Sequence, residues 1–221
     1  MASDALRRAT AEAIGTGLLV ATVIGSGVMG QRLEAGAAVM LLANSLATGA
    51  ALIALIVTLG PVSGAHLNPA VTLVEAWSRR TPWREVPAFI ACQFVGGLLG
   101  AIVAHAMFEL PAMSASRHAR AGFAQCLSEF VATFGLVCVV LTCNRTRATL
   151  APIAVAGWIV AAYWFTSSTS FANPAVTLAR AATDTFAGIR PADVPAFVLA
   201  QAVGAAVGLA TFQLVLRCPR S

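Results

Sequence analysis

The chain has 221 residues, of which 58% are hydrophobic and only 10% are charged, and its mean hydropathy is +0.82. Soluble domains average about 25% charged residues, so this composition excludes an ordinary water-soluble globule. The formal net charge of +5 comes from arginine alone, and the arginines lie between apolar stretches rather than in a basic patch with interleaved aromatic residues. The charge therefore favours a membrane protein and gives no support for a nucleic-acid partner.

Six apolar stretches are long enough to cross a lipid bilayer. A hydrocarbon core about 30 Å thick requires roughly 20 helical residues, and the spans must be helical because lipid offers no partner to backbone groups. The predicted spans are residues 11–29, 36–59, 87–108, 123–143, 149–166 and 194–216. Two shorter apolar segments, 68–77 and 173–182, reach only about half the membrane depth, so we predict that they are re-entrant half-helices.

The distribution of arginine between the loops predicts the orientation in the membrane. If both termini are cytoplasmic, the inside arginines are Arg7, Arg8, Arg79, Arg80, Arg84, Arg145, Arg147, Arg217 and Arg220, and the outside ones are Arg32, Arg117, Arg120, Arg180 and Arg190. The positive-inside rule and the even number of spans both favour this orientation. We therefore predict a multi-pass protein of the inner (plasma) membrane with cytoplasmic termini.

The cysteines show no spacing typical of a metal site. Cys92, Cys126, Cys138, Cys143 and Cys218 form neither a Cys-x-x-Cys pair nor an even disulfide pattern. We interpret them as small packing residues; a thiol site for a soft metal or for trivalent arsenic would require several of them to converge. No metal and no cofactor are predicted.

Three blocks of sequence occur twice in the same order, which indicates an internal duplication. The matching blocks are 11–16 with 128–133, 66–73 with 171–178, and 87–93 with 195–201. Each copy contains three spans, and because three is an odd number the second copy must cross the membrane upside down. We predict a single membrane domain over residues 1–221, with repeat one at 8–110 and repeat two at 122–217.

Each predicted half-helix begins with Asn-Pro-Ala. The six residues are Asn68, Pro69 and Ala70 in repeat one, and Asn173, Pro174 and Ala175 in repeat two. One such motif could be ordinary helix punctuation, since Asn is a favoured cap and Pro suits the first helical position. Two copies at half-membrane depth favour a functional role, because irregular backbone there is tolerated only inside protein or along a wet cavity.

The inverted repeat predicts that the amino ends of the two half-helices meet near the membrane midplane. Both ends carry partial positive charge and unpaired N–H donors, so a cation or a hydrated proton is repelled there. A neutral hydroxylated molecule can accept hydrogen bonds from the carboxamides of Asn68 and Asn173. The segments that precede the motifs, 63–67 and 167–172, are expected to line the path with carbonyl oxygens.

Two glutamates, Glu12 and Glu129, occupy equivalent positions within or at the edge of spans. Ionisable residues in a span are functional candidates, although Glu12 alone could snorkel to the interface. Their equivalence predicts that both accept hydrogen bonds from the backbone of the re-entrant loops. Gln93 and Gln201 form a further pair, which a polar contact between helices explains equally well.

With these motifs the chain resembles the major intrinsic proteins, the family of aquaporins and aquaglyceroporins, over essentially its whole length. Residues 63–72 match the first signature of the family, with His66 at its pore-lining histidine. The resemblance implies an aquaporin-like all-α membrane fold, with six transmembrane helices and two re-entrant Asn-Pro-Ala half-helices in an inverted repeat. It also implies a homotetramer in the lipid bilayer, with a pore in every subunit.

The main departure from the family follows the second Asn-Pro-Ala, where the family carries Arg and this chain carries Val176. The resemblance assigns Thr48 to the constriction position on the second helix, where water-selective members have Phe, and Ser170 to the second loop. For the fifth-helix position, helix alignment gives Tyr163 and counting back gives Ala161; Tyr163 is preferred. The loss of an aromatic ring and a guanidinium predicts a wider and less polar constriction.

Residues 166–177 resemble a bacterial branch associated with arsenic resistance, whose members pass arsenite and methylated arsenicals. The expected function is passive passage of small neutral solutes: arsenite and other metalloid hydroxides, methylated arsenicals, glycerol, urea and water. One alternative is a strictly water-selective aquaporin. Another is a gradient-coupled secondary transporter, but coupling usually needs a carboxylate at the central site, and none lies beside either Asn. No enzyme activity is expected, because no nucleophile and base occur at a recognisable spacing.

Arg180 lies four residues beyond Val176, on the same helix face one turn further out. Two interpretations of this residue are open. It is an ordinary cation at the outer membrane interface, or it sets a positive potential in the vestibule above the constriction. In the second case it discourages cations and draws in oxyanionic solutes.

Overall fold

The computed structural model describes residues 4–216, which form eight α-helices and no strand. In chain order the helices are α1 (Asp4–Arg32), α2 (Ala37–Ser63), α3 (Pro69–Trp77), α4 (Val86–Met107), α5 (Phe123–Thr146), α6 (Ala151–Phe165), α7 (Pro174–Arg180) and α8 (Val194–Thr211). Short 3-10 turns precede α4, α6 and α8, and a π-helical turn, Phe212–Leu216, follows α8. Arg217, Cys218 and Arg220 lie outside the described residues.

Six helical segments in the described part of the chain are long and apolar enough to cross a membrane. They confirm the six predicted spans, which correspond to α1, α2, α4, α5, α6 and α8. Helices α1, α2 and α5 extend beyond the apolar limits read from the sequence, most of all α1, which begins at Asp4 rather than at residue 11, whereas α6 and α8 lie within them. Polar side chains make this extension possible: Asp4 pairs with Arg7 at 2.7 Å, and Arg8 pairs with Glu85 at 2.6 Å.

The two remaining helices, α3 and α7, are short, with 9 and 7 residues. At 1.5 Å per residue neither can cross a membrane, as expected for half-helices. Each is capped by its Asn: Oδ1 of Asn68 accepts from the N–H of Ala70 at 2.9 Å, and Oδ1 of Asn173 accepts from that of Ala175 at 3.0 Å. The cap and the following Pro explain why the helix begins at the motif.

Close helix contacts occur at the same places in both repeats, where α1 packs on α4 and α5 packs on α8. A Cβ on Gly96 would lie 2.1 Å from the carbonyl oxygen of Ala13, and one on Gly204 would lie 2.5 Å from that of Phe130. Both distances are far below any real contact, so only glycine lets these backbones approach. Small residues at such crossings are typical of membrane helix pairs, where packing replaces the hydrophobic drive.

The interior and the outer surface of the bundle differ in the size and polarity of their side chains. Large apolar residues such as Leu18, Val57 and Leu199 are exposed on the outside of the helices, where lipid would cover them. The interior holds the buried polar residues around the starts of α3 and α7, among them Glu12 and Glu129. The fold therefore directs its polar chemistry to the junction of the two half-helices.

Candidate functional site

The amino ends of α3 and α7 meet inside the bundle and are joined by two reciprocal hydrogen bonds. Nδ2 of Asn68 donates to the carbonyl oxygen of Ala172 at 2.8 Å, and Nδ2 of Asn173 donates to that of Leu67 at 2.7 Å. An amide nitrogen carries two N–H groups. Among the described residues neither amide has a second acceptor, so each keeps one N–H for a molecule at the junction.

The segments before the half-helices have left-handed backbone at three matched pairs of positions. The φ angles are 95° at Gly64 and 60° at Thr169, 47° at Ala65 and 50° at Ser170, and 51° at Leu67 and 49° at Ala172. For residues other than glycine this conformation costs about 1–2 kcal/mol each, so the surroundings must hold it in place. The same strained backbone conformation is therefore maintained in both repeats.

Glu12 holds the first of these segments through four hydrogen bonds. Its Oε1 accepts from the hydroxyl of Ser63 at 2.6 Å and the N–H of His66 at 2.9 Å. Its Oε2 accepts from the N–H of Leu67 at 2.6 Å and from Nε2 of Gln93 at 2.7 Å. All four partners donate, so a carboxylate, which accepts only, satisfies this fully buried position.

Glu129 plays the corresponding part in the second repeat, with three donors. Its Oε1 accepts from the N–H of Phe171 at 2.9 Å, and its Oε2 accepts from the N–H of Ala172 at 2.9 Å and Nε2 of Gln201 at 2.6 Å. Gln201 also donates to the hydroxyl of Thr177 at 2.8 Å. Gln201 therefore links α8 to both α5 and the half-helix α7.

Gln93 makes the same connection in repeat one. Besides Glu12, its Nε2 reaches the hydroxyl of Thr72 at 2.9 Å, which ties α4 to α1 and to the half-helix α3. The glutamine pair is thus more than a helix–helix contact, because it orients both the carboxylate and the half-helix.

A cavity of about 90 Å³ lies beside the junction and includes both asparagines in its wall. The structure brings the residues expected at the constriction and the pore together in this wall: Thr48, Tyr163, Ser170, Val176, His66 and Arg180. The other motif residues are buried in the first turns of the half-helices and do not line the cavity: Pro69, Ala70, Pro174 and Ala175. These four residues form the first turns of the two half-helices.

The alternatives for the fifth-helix position are separated by their placement on α6. Tyr163 is buried and forms part of the cavity wall, whereas Ala161 lies on the exposed face of the helix. The hydroxyl of Ser170 is also buried and has no hydrogen-bond partner between residues 4 and 216. The cavity wall therefore contains a hydroxyl whose bonding capacity is unused.

His66 lies between this cavity and a second one at the carboxyl end of α3. Its ring is shared by the walls of both cavities, with Nδ1 3.1 Å from the hydroxyl oxygen of Thr72 and Nε2 3.4 Å from that of Thr81. The second cavity is bordered by Arg8, Glu75 and other polar residues. The two cavities adjoin at His66, which indicates a path that continues past the junction.

Arg180 lies at the end of α7 and is only 2% exposed. Its Nε donates to the carbonyl oxygen of Ala187, and its guanidinium carbon lies 3.3 Å from the ring centre of Phe171. The guanidinium is therefore enclosed by the protein and is not exposed at its surface. The side chain shares the cavity wall with Val176, so a guanidinium borders the cavity one helical turn beyond the position where the family resemblance implies an arginine.

The loop between α4 and α5 packs over the carboxyl end of α7. Nε of Arg120 donates to the carbonyl oxygen of Gly188 at 2.8 Å, and its Nη1 donates to that of Ser168 at 3.0 Å. In the same loop, burial lowers the pKa of His118, and the positive charges of Arg120 and Arg180 lower it further. His118 therefore favours its neutral form and adds no charge at this end of the cavity.

Several functional residues carry no signal in the sequence. The apolar part of the cavity wall includes Leu19, Val23, Leu52, Leu136, Val140 and Ile159, and nothing distinguishes these from other apolar residues of the spans. Asn144 is different, because a carboxamide at the end of a predicted span is an available clue. Its Nδ2 donates to Glu75 at 3.0 Å, and it lines both cavities.

The cysteines lie apart from this site. The four described ones, Cys92, Cys126, Cys138 and Cys143, are free thiols. Between residues 4 and 216 no group of three or more His, Cys, Asp or Glu side chains is placed to hold a metal ion. The convergence required for a thiol site is absent from this part of the chain.

Comparison with known proteins identifies related sequences and folds. A family model described as Major intrinsic protein matches residues 1–170. The chain is similar to aquaglyceroporin AqpS of Rhizobium meliloti (strain 1021), 52% identical over 217 residues that cover 98% of this chain and 93% of that protein. It is 30% identical to aquaporin NIP6-1 of Arabidopsis thaliana, over 95% of this chain and 68% of that protein.

Among solved structures, the chain is similar to the X-ray structure of the aquaglyceroporin from Plasmodium falciparum. The TM-score is 0.76, and the alignment covers 96% of this chain and 97% of that chain. The two are 20% identical in sequence, so this likeness establishes the fold alone.

Proposed function

The chain belongs to the major intrinsic protein family, and from this premise we propose that it passes small neutral solutes larger than water through a wide constriction. Membership of the family makes it a passive multi-pass membrane channel rather than an enzyme. Its similarity to an aquaglyceroporin over nearly the whole of both chains supports a solute range beyond water.

The observation that carries the proposal is the small size of two side chains in the cavity wall, those of Val176 and Thr48. Val176 follows the second motif on α7, and Thr48 lies on α2. At these places the family resemblance implies an arginine and, in water-selective members, a phenylalanine. Threonine and valine occupy much less space, which supports a constriction wide enough for branched or polyhydroxylated molecules.

The proposed solutes are arsenite and other metalloid hydroxides, methylated arsenicals, glycerol, urea and water. All carry oxygen atoms that can accept the remaining N–H groups of Asn68 and Asn173, and several can also donate to the unpartnered hydroxyl of Ser170. The fixed amide orientations support such a role, since a donor already held in place costs little further ordering when a solute arrives.

The contacts of the buried carboxylates argue against a gradient-coupled transporter. Glu12 and Glu129 already accept four and three hydrogen bonds from their own segments. A coupling site needs a carboxylate that can exchange partners with an ion. Neither glutamate is available for that exchange while it supports its segment.

The assembly and orientation belong to the same proposal. We place the protein in the inner membrane as a homotetramer with cytoplasmic termini and a pore in each subunit. The large apolar side chains on the outside of the bundle support contact with lipid and with neighbouring subunits. The matched contacts of Gln93 and Gln201 support the division into repeats 8–110 and 122–217.

Purified protein in liposomes tests the solute range directly. Swelling rates after an osmotic step report water, glycerol and urea permeability, and uptake of arsenite is measured in the same vesicles, with protein-free liposomes as the background. We expect glycerol, urea and arsenite fluxes well above that background. Water flux without any glycerol or arsenite flux would favour the strictly water-selective alternative.

A further inference from the structure

Arg180 has a matched partner in the first repeat, Glu75, with the opposite charge. Each is the one charged residue of its half-helix and its seventh residue, counted from Pro69 in α3 and from Pro174 in α7. Both residues are 2% exposed. The inverted repeat therefore sets an acidic residue at the carboxyl end of α3 and a basic residue at the carboxyl end of α7.

The charge of Glu75 is balanced by its neighbours. Its Oε1 accepts from Nδ2 of Asn144 at 3.0 Å, and its Oε2 lies 3.6 Å from Nε of Arg80. The acidic end of the path thus carries an ion pair and no unbalanced charge at this position.

The charge of Arg180 has no such balance. It forms no ion pair between residues 4 and 216, and Nε alone has a hydrogen-bond acceptor there, the carbonyl of Ala187. The ring of Phe171 covers one face of the guanidinium. The two terminal nitrogens remain available to the cavity, whose wall the side chain shares with Val176.

The neighbouring Arg120 differs in these respects, although it also lies against the ring of Phe171, at 5.0 Å. Its guanidinium is occupied by the carbonyl oxygens of Gly188 and Ser168, and it is not part of the cavity wall. Arg120 therefore serves the loops, whereas Arg180 faces the solute path.

We propose that Arg180 is the charge filter of this channel, one helical turn beyond the constriction that Val176 leaves wide. The proposal rests on the proposed function and separates two tasks. The small side chain at 176 sets the size limit, and the guanidinium at 180 repels cations and donates hydrogen bonds to solute oxygens. A charge that is buried in the cavity wall is screened less than one that is exposed to solvent, so it acts more strongly on an ion in the path.

Variants of Arg180 test the filter in liposomes. Arg180→Met removes the charge and keeps an apolar stem against Phe171; Arg180→Gln also removes it but can still donate to Ala187. Arg180→Lys keeps the charge. The matched control is Arg117→Met, which removes an outer-loop cation that is 91% exposed and pairs with Asp184.

The readouts are potassium efflux, measured with an ion-selective electrode, and glycerol swelling in the same preparations. We expect the ratio of potassium leak to glycerol flux to rise at least about tenfold in the two neutral variants. The ratio should stay near wild type in Arg180→Lys and in Arg117→Met. A ratio unchanged in both neutral variants, or raised equally in Arg180→Lys, overturns the charge filter.

A measurement on the unaltered protein covers the case in which the neutral variants do not fold. The residual ion leak of the wild-type channel should favour chloride over potassium, and a preference for potassium overturns the proposal. The proposed function fails separately, if the wild-type protein passes neither glycerol nor urea. If the wild-type protein passes glycerol but the neutral Arg180 variants show no change in ion leak, the role of Arg180 is rejected and the proposed function stands.

Discussion

Thr48 and Tyr163 lie on facing helices, and their hydroxyl oxygens are 3.2 Å apart. The Thr48 hydroxyl already donates to the carbonyl oxygen of Asn44 at 2.8 Å. A threonine hydroxyl has one proton, so Tyr163 must be the donor in this pair. The bond joins α6 to α2 at the cavity wall and holds the phenol ring in one orientation beside the path.

The Tyr163→Phe variant removes this bond and keeps the ring. A buried hydrogen bond contributes about 1 kcal/mol, and in a chain of this size that corresponds to a loss of about 2–4 °C in the melting temperature. Thermal unfolding in detergent measures the loss, and the swelling assay measures the glycerol-to-water permeability ratio. We expect a small stability loss and a less sharply defined size limit; an unchanged melting temperature would contradict the bond.

Asn68→Leu and Asn173→Leu test the junction. Each variant removes a helix cap, worth about 1 kcal/mol, and leaves the carbonyl of Ala172 or Leu67 without its donor. It also removes the N–H group offered to the solute, so we expect glycerol flux to fall at least about tenfold while the proposed tetramer is retained. Flux and oligomeric state are measured by swelling and by size-exclusion chromatography.

Asn173→Asp separates the cap from the donor. Its side-chain oxygen can still accept from the N–H of Ala175, but it has no N–H group for Leu67 or for the solute. If Asn173 acts only as a helix cap, this variant should retain full glycerol flux. On our proposal it loses flux as Asn173→Leu does.

The fold was predictable because its signals are strong and repeated. Six apolar spans, two short segments and three matched blocks define the architecture before any contact is known. The hydrogen bonds of Glu129 were also predictable, since a carboxylate in an apolar span requires donors and its equivalence with Glu12 indicates a shared role.

The contacts of the Arg180 side chain could not be predicted, because they depend on how the chain folds back after α7. The carbonyl of Ala187 and the ring of Phe171 receive the guanidinium, and neither contact follows from spacing along a helix. The apolar cavity wall was unpredictable for another reason. Leu136 and Val140 face the cavity only because α5 has a particular rotation, which periodicity in a uniformly apolar span does not reveal.

Glu12→Gln and Glu129→Gln test the support of the strained segments. A glutamine amide replaces one accepting oxygen by a donor, so at least one backbone N–H loses its partner at a cost of about 1–3 kcal/mol. We expect lower melting temperatures and reduced flux, with the larger effect in Glu12→Gln, which has four donors rather than three. Glu34→Gln, in an exposed loop, is the matched control, and equal behaviour of all three variants would contradict the role.

The mechanism predicts that flux depends only on the gradient of the solute itself. Collapsing the proton gradient or the sodium gradient across the liposome membrane, with ionophores, should leave the initial rate of glycerol entry unchanged. Loss of net movement on collapse of either gradient would support the transporter alternative and reject the channel.

Val176→Arg is the most specific test of the solute range. The side chain at 176 is buried in the cavity wall beside Asn173, so an arginine at this position must extend into the cavity. Arg180 lies one turn away, and its positive charge disfavours a conformation in which the new guanidinium points toward it. The constriction should become narrow and rich in donors. A single misfitting group in a confined site costs about tenfold or more in selectivity, so we expect the glycerol-to-water ratio to fall by about that factor, and arsenite uptake to fall with it.

Val176→Leu adds bulk without charge and separates the two causes of that loss. If side-chain size alone sets the limit on solute size, Val176→Leu should give a glycerol-to-water ratio between those of the wild type and Val176→Arg. The potassium leak should stay at the wild-type value, because Arg180 still supplies the charge. Val176→Ala should raise the ratio or leave it unchanged. The decisive result is the glycerol-to-water ratio in variants that fold and conduct water normally. If it is unchanged in both Val176→Arg and Val176→Leu, position 176 does not border the narrowest part of the path. The case for bulky neutral solutes would then lose its structural basis.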